Sequence, residues 1–247
     1  MNRLFYFAIA IIAFIVSVVL MAPASLAKTL FGDTVQQNIP GLKVGVARGR
    51  IWDGAIELQY QRFPPVKLSW KMAALPMLRG KVSTSIELTG GGLQLELDAV
   101  ASTSGGTLDN ISGAIESRFI NAVSIYYGLE LTGIVKLSGI SASFDQRWLT
   151  ELQGETNWTG GIVHIETPQQ LYRVKLPPLT GKLSTKDSNA MLNVTSQTAT
   201  LLVLSLAPDG WSKTSVSYLL TDMIGLPLPS GYQVTDGPAF VLEEKVF

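Results

Sequence analysis

From residue 43 onward, apolar and polar side chains alternate with a period of two residues. Residues 93–99, Leu-Gln-Leu-Glu-Leu-Asp-Ala, show this most clearly, with a leucine at every second position. Side chains of a β-strand point alternately to two faces, so the period indicates strands with one apolar and one polar face. The same alternation occurs in residues 55–61, 66–71, 129–132, 134–137, 161–166, 173–176, 190–195 and 200–206.

Glycines separate these segments, at positions 90–92, 105–106, 139, 160–161 and 181. Glycine adopts turn conformations that other residues avoid, and the run at 90–92 is typical of a hairpin turn. Short strands at a spacing of roughly 8–12 residues predict a mainly all-β fold. We expect a large, curved and mostly antiparallel sheet in which sequence neighbours pair.

Each predicted strand has one apolar face, and that face needs a cover. A second sheet, closure of the sheet on itself, or an apolar ligand in an open groove would each supply one. Helices are a weaker candidate because helical signals are few. An ordinary core is the simplest reading, whereas an open groove would favour a lipid acyl chain or a hydrophobic partner surface.

Two segments carry helical signals. In residues 112–127, Ile115, Phe119, Ile120 and Val123 recur at near-helical spacing, which predicts a short helix crossing one sheet edge. Residues 219–224 fit either a helix or a strand. The weaker expectations are a helical continuation at 24–38, a single turn within 70–79, and an extended proline-containing loop at 225–231.

The N-terminus predicts export. Residues 4–21 form an uncharged run of eighteen residues in which Ser17 is the one polar side chain, close to the minimum that spans a bilayer. Cleavage after Ala27 as a secretory signal is the alternative. Arg3 favours a cytoplasmic N-terminus. The predicted organisation is a cytoplasmic tip (1–3), a single-pass transmembrane anchor (4–21), a helical or linker segment (22–42) and an exported β domain (43–247).

Composition excludes several classes of function. Nineteen basic and nineteen acidic residues give no net charge and form no block, so nothing favours nucleic-acid binding. The absence of cysteine excludes disulfides, thiolate metal sites and cysteine nucleophiles. The single histidine, His164, is expected on the polar face of its strand, and neither a nucleophile elbow nor a phosphate loop is present.

The carboxylates are scattered, and nothing in their spacing indicates a catalytic pair. We therefore expect a protein that is not an enzyme, with no catalytic, cofactor-binding or metal-binding residues and no cofactor. The scattered carboxylates include Asp98, Asp109, Asp145, Glu155, Glu166 and Asp187, and an exported hydrolase that pairs acids from distant strands is the alternative.

Glycine and tryptophan landmarks carry a family resemblance. The first set lies within residues 45–54, Gly-Val-Ala-Arg-Gly-Arg-Ile-Trp-Asp-Gly, and is followed by Leu-Ser-Trp at 68–70. The second lies within residues 152–161 and includes Trp158. With an N-terminal apolar segment and this length, the chain resembles protein N of the type II secretion system over essentially its whole length. Trp52 and Trp158 are expected to be structural anchors beside tight turns.

The resemblance implies a bacterial inner-membrane protein with most of its chain in the periplasm. It implies an accessory to the machine that exports folded proteins across the outer membrane, acting through contacts with inner-membrane secretion proteins. The family contributes no catalytic residues. A further similarity, to curved-sheet periplasmic proteins related to AsmA, implies the alternative of a lipid-binding or lipid-transfer groove; this is an analogy of fold only.

Overall fold

The computed structural model describes residues 21–26, 29, 39–73, 80–166, 170–225 and 237–246. The predicted cytoplasmic tip and all but the last residue of the predicted anchor lie outside these residues. So do most of the helical continuation, the turn within 70–79 and most of the loop at 225–231. Within the described part of the chain, no helix combines the length and apolar character needed to cross a bilayer.

The described residues are dominated by strands. The first nine are β1 (Leu42–Val44), β2 (Arg48–Arg50), β3 (Asp53–Tyr60), β4 (Val66–Ala73), β5 (Val82–Gly90), β6 (Leu93–Ser102), β7 (Gly105–Glu116), β8 (Leu129–Leu131) and β9 (Ile134–Asp145). The others are β10 (Leu149–Trp158), β11 (Gly161–Glu166), β12 (Leu171–Leu176), β13 (Leu179–Lys186), β14 (Asn189–Ser196), β15 (Ala199–Leu206), β16 (Trp211–Val216) and β17 (Phe240–Lys245).

Fourteen strands form one open antiparallel sheet. Its order is β1-β3-β4-β5-β6-β7-β9-β10-β13-β14-β15-β16-β17, and β2 pairs with β3 on the same side as β1. Neighbours in sequence are mostly neighbours in the sheet, as the alternation predicted. The hairpin at 90–92 is confirmed, since Gly90 pairs with Leu93 across the turn.

A second, three-stranded antiparallel sheet has the order β12-β11-β8. It arises because β10 continues, past Thr159 and Gly160, into the β11–β12 hairpin, and the chain then returns through two prolines to β13. β8 joins the outer side of β11, with Leu131 opposite Val163. The chain therefore leaves the large sheet after β10, forms the β11–β12 hairpin of the small sheet and returns to the large sheet as β13, beside β10.

Two short α-helices accompany the sheets. Helix α1 (Ser117–Ser124) follows β7 and continues into a 3₁₀ turn (Ile125–Tyr127), so the helix predicted within 112–127 is confirmed in its second half, while its first five residues belong to β7. Helix α1 follows the end of the interior strand β7 and lies beside β8, an edge strand of the small sheet, where Asn121 binds both backbone groups of Leu131. The ambiguous segment at 219–224 is part of helix α2 (Tyr218–Ile224), capped by Ser217.

One face of the large sheet is apolar across nearly its full width. Cross-strand register places Leu68, Leu88 and Leu95 in one row on this face. Yet in the part of the chain that the structure describes, nine apolar side chains are buried: Ala24, Val66, Ile140, Ala142, Leu149, Val163, Leu176, Leu201 and Ala239. Most of the apolar face is thus only half-covered, which is the arrangement of an open sheet and not that of an ordinary core.

Candidate interaction surfaces

Among the described residues, the C-terminal edge of the large sheet is a strand with one partner. β17 pairs with β16 on one side and is the last strand of the described sheet. Val241 is 44% exposed and Leu242 is 64% exposed. An outer strand presents unpaired backbone donors and acceptors, and another chain can add to them as a further strand. Glu243, Glu244 and Lys245 place charges at the end of this edge, which limits indiscriminate pairing.

The opposite edge is partly covered by the N-terminal segment. Pro23 forms an isolated bridge with Arg50, and the Ile51 N–H donates to the Ala22 carbonyl at 2.9 Å. Ala24 is fully buried, and it begins a short helical stretch. The residues that follow the predicted anchor are therefore part of the folded domain, and they hold the start of the chain beside the turn between β2 and β3.

The tryptophan and glycine landmarks have structural roles. The Trp70 indole N–H donates to the Ile51 carbonyl at 2.9 Å, and its ring lies so close to Gly54 that an added Cβ would come within 2.6 Å of Cζ2. Trp158 donates in the same way to the Thr132 carbonyl at 2.9 Å, where β10 leaves the large sheet. The expectation that Trp158 is an anchor is confirmed. For Trp52, the backbone carbonyl accepts from Met72 N–H.

The polar face carries a depression of about 450 Å³ over β3–β7. Glu87 lies directly opposite Glu96, and Asp98 lies directly opposite Asp109. Sequence reasoning missed these pairs, although a two-residue turn after Gly90 fixes Glu87 opposite Glu96 by counting. Glu87, Glu96 and Asp98 line the depression, and its other polar lining residues are Asp53, Ser69, Lys71, Ser85 and Asn110.

Asp98 is the best-partnered acid of this depression. Its carboxylate accepts from Asn110 Nδ2 at 3.1 Å and from Ser85 Oγ at 2.7 Å, and these hydrogen bonds, Asn110 first, lower the pKa of Asp98. Asn110 has φ +56°, where a bulge shifts the register of β7. Within the described residues, no group of three or more potential ligands could hold a metal ion.

The other acids named from the sequence do not face Asp98 or Asp109. Asp145 accepts backbone N–H groups from Trp148 and Arg147, which lowers its pKa, in the turn between β9 and β10. Glu155 lies opposite Lys182, Glu166 ends β11, and Asp187 lies in the β13–β14 turn with φ +51°. His164 is on the face opposite buried Val163, as predicted, and its Nδ1 is 3.5 Å from Glu130 Oε2.

The structure therefore presents edges and faces suited to contacts with other molecules. A family model for the type II secretion system (T2SS), protein N, matches residues 40–222, about three quarters of the chain. The chain belongs to this family. The protein N match runs from the turn before β1 into α2, so it includes the whole small sheet and both tryptophan landmarks. No curated protein and no solved structure matches the chain.

Proposed function

We propose that this chain is an accessory, non-enzymatic component of the bacterial type II secretion system. In this role it is held in the inner membrane by one N-terminal helix and exposes its β domain to the periplasm. It supports export of folded proteins across the outer membrane by contacting inner-membrane proteins of the machine. The observation that carries the proposal is the protein N match over residues 40–222.

The geometry supports a contact role. The large sheet ends in β17, whose backbone is open to strand addition and whose Leu242 is exposed, so an extended partner segment can pair there. The other edge already holds Ala22–Ala24, which leaves β17 as the better-presented edge. Strand addition obtains affinity from backbone hydrogen bonds and needs no reactive side chain.

The N-terminal contacts support a retained anchor. Cleavage after Ala27 would remove Ala22, Pro23 and Ala24, which the folded domain uses for one hydrogen bond, one bridge and one fully buried side chain. Retention of the segment keeps these contacts. Intact-mass analysis of the protein purified from membranes tests this part of the proposal: we expect the whole chain, and a species beginning at Lys28 would contradict it.

Deletion and capture test the proposed role in the machine. We expect loss of the gene to lower the amount of type II substrates in the medium and to raise it in the periplasm. We also expect a C-terminally tagged chain to co-purify with inner-membrane proteins of the system from detergent extracts. A variant with Val241→Lys and Leu242→Lys, which places charges on β17, should reduce this recovery. Unchanged secretion after deletion, together with no recovered secretion protein, would reject the proposed function.

The half-covered apolar face favours lipid binding as the second candidate. Leu68, Leu88 and Leu95 form part of a continuous apolar surface that a lipid acyl chain could cover. A further depression of about 390 Å³ opens beside the turn between β9 and β10, and Phe144, Trp148 and Leu206 line it. Native mass spectrometry of the protein released from detergent would show a co-purified phospholipid if this candidate is right, and a lipid-free spectrum would reject it.

A further inference from the structure

Three consecutive apolar residues are strongly exposed in the 3₁₀ turn after α1. Ile125 is 55% exposed, Tyr126 is 61% exposed and Tyr127 is 81% exposed. The Arg62 guanidinium lies over the Tyr126 ring, 3.8 Å from its centroid. We call Arg62, Ile125, Tyr126 and Tyr127 the aromatic platform. Exposed apolar clusters of this kind are uncommon on a surface that contacts only water, and they mark interaction sites.

The platform stands on a fixed base. Phe63, in the turn between β3 and β4, contacts Phe119 of α1 with ring centroids 5.1 Å apart, and Tyr60 stacks on Phe63 at 6.2 Å. All three aromatic residues belong to elements that precede the exposed turn. The turn is therefore supported from below by rings that are themselves only partly exposed.

Hydrogen bonds lock the exit of the turn. Asn121 of α1 binds both backbone groups of Leu131: Oδ1 accepts from its N–H at 3.0 Å, and Nδ2 donates to its carbonyl at 2.8 Å. Gly128 ends the turn with φ +70°, and its carbonyl accepts from Glu166 N–H at 2.7 Å. An added Cβ at Gly128 would lie 2.7 Å from the Glu166 carbonyl oxygen. A surface fixed in this way loses little conformational entropy when it binds.

Charge identifies the partner. Arg118, near the same end of the strands, forms an ion pair with Glu116, with Nε 2.7 Å from Oε2. By contrast, no carboxylate in the described part of the chain forms an ion pair with Arg62. Tyrosine and arginine side chains dominate the energetics of protein interfaces. An unpaired guanidinium stacked on an exposed tyrosine thus offers a charge-assisted hydrogen bond beside an apolar surface.

We propose that the aromatic platform docks a segment of a periplasmic protein partner in which an acidic side chain neighbours apolar ones. The carboxylate binds Arg62, and the apolar side chains pack on Tyr126 and Tyr127. The inference rests on the proposed function in that the partner is a protein of the secretion machine. The platform lies at the end of β3 remote from the contact of Ala22 with Ile51, about 25 Å along eight residues of strand, so it faces away from the proposed anchor.

Site-specific photo-cross-linking in the full chain tests the proposal. A photoreactive amino acid replaces Tyr127, and in a control chain it replaces Val82, which is 38% exposed at the other end of the strands and away from β17. We expect the Tyr127 position to cross-link to one protein segment, mapped by mass spectrometry, that contains Asp or Glu beside an apolar residue. Adducts of lipid mass, adducts to a second copy of this chain, or a mapped segment without a carboxylate would overturn the proposal.

Charge reversal then separates recognition from folding. Arg62→Glu should lower the cross-link yield about tenfold or more, as loss of an interface hot spot does, while Arg118→Gln should leave it within about twofold. Tyr126→Phe, which keeps the ring under Arg62, should retain the cross-link, and Tyr126→Ser should lose it. Replacing the mapped acid by lysine in the partner should restore cross-linking to the Arg62→Glu chain. Absence of rescue, with unchanged thermal unfolding of the variants, would overturn the charge pairing.

The two proposals fail in different ways. Normal secretion after deletion of the gene rejects the role in the machine, whatever the cross-linking gives. Secretion proteins could instead be recovered through β17 while the Arg62→Glu chain cross-links from Tyr127 as well as the unaltered chain does. That result rejects the proposed docking on the aromatic platform and leaves the role in the machine standing.

Discussion

The two halves of the large sheet differ in how far their apolar side chains are buried. In β3–β7, between Asp53 and Glu116, Val66 is the one apolar side chain that is buried among the described residues. In the large-sheet strands from β9 onward four are buried, Ile140, Ala142, Leu149 and Leu201, and the small sheet and α2 accompany these strands. Both halves have the same alternation, so the difference does not come from strand pattern. The difference accompanies helix α2, which contacts β15 of the second half and β12 of the small sheet.

The polar faces differ as well. In the first half, Glu87 faces Glu96 and Asp98 faces Asp109. In the second half, Glu155 faces Lys182, and Lys213 Nζ lies 3.0 Å from Glu243 Oε1. Opposite charges across strands stabilise a sheet and like charges destabilise it. The first half also has facing opposite charges, Asp53 with Lys71 and Glu57 with Lys67, so its like-charged pairs, confined to β5–β7, are what distinguish it. This half carries the aromatic platform and the N-terminal contact.

The largest expected effect comes from truncating a covered leucine. Leu201 is 1% exposed, and its carbonyl accepts from Ser217 N–H where α2 begins. Leu201→Ala should lower the free energy of unfolding by about 3 kcal/mol, or the unfolding midpoint by about 6–12 °C for a chain of this size. Circular dichroism of the purified full chain during heating measures the shift.

The matched variant is Leu95→Ala, on the same kind of strand but in the uncovered half, where the side chain is only half-buried. Its midpoint should fall by about 2–4 °C, because less apolar area is returned to water. Equal shifts for the two leucines would show that the first half is covered as well as the second, and the comparison would be wrong.

A second prediction concerns the close approach of Trp70 to Gly54 in the first half. An alanine Cβ at position 54 would lie 2.6 Å from Trp70 Cζ2 and 2.8 Å from the Arg50 carbonyl oxygen. Gly54→Ala should therefore destabilise by about 2 kcal/mol through overpacking, a fall of about 4–8 °C in the midpoint. Part of this loss should be recovered in combination with Trp70→Leu, which removes the ring. Strictly additive losses in the double variant would mean that the ring does not press on Gly54.

The hairpins were predictable because their determinants are local. The turn glycines between β5 and β6 and the alternation on both sides fix the partner, the register and the apolar face of each strand. The placement of β9 beside β7 was not predictable, because β8 lies between them in sequence and pairs with β11 instead. A period of two gives the face of a residue but carries no information about which distant strand lies beside it.

The candidate surfaces were predictable only in part. A role in contacts with other proteins was expected from the family resemblance, but the sequence did not indicate which strand forms the exposed edge. The stacking of Arg62 on Tyr126 joins residues 64 positions apart through α1, and nothing in either local sequence indicates it. The Glu87–Glu96 pair, by contrast, could have been found by counting outward from the glycine turn.

A third prediction uses the polar face. Glu96→Gln removes the like charge opposite Glu87 and should stabilise the chain by about 0.5 kcal/mol, or about 1–2 °C. Glu155→Gln removes the charge opposite Lys182 in the other half and should destabilise by a similar amount. Both effects should shrink in 1 M salt, where charges are screened beyond about 3 Å. If the two variants shift the midpoint in the same direction, local charge does not distinguish the halves.

The smallest effect concerns pH. Hydrogen bonds from Asn110 and Ser85 lower the pKa of Asp98 in the folded chain, and backbone N–H groups of Trp148 and Arg147 lower that of Asp145. A carboxyl whose folded-state pKa lies below its unfolded value, about 3.9, stabilises the fold above that pH. This contribution is lost as the pH falls through the folded-state pKa. Each half thus contains one such carboxyl, and acid should weaken both halves.

Asp98→Asn should therefore unfold at a slightly lower temperature than the unaltered chain at pH 7, and this difference should vanish as the pH is lowered from about 4 towards 2. Asp145→Asn should behave in the same way in the second half. Asn110→Ala sharpens the comparison, because it removes the hydrogen bond that lowers the pKa of Asp98 most and leaves the hydrogen bonds of Asp145 intact. The part of its acid-induced loss of stability that comes from Asp98 should be smaller, and complete at higher pH, than in the unaltered chain. A midpoint difference for Asp98→Asn that stays constant down to pH 2 would show that the carboxylate does not stabilise the first half through these bonds.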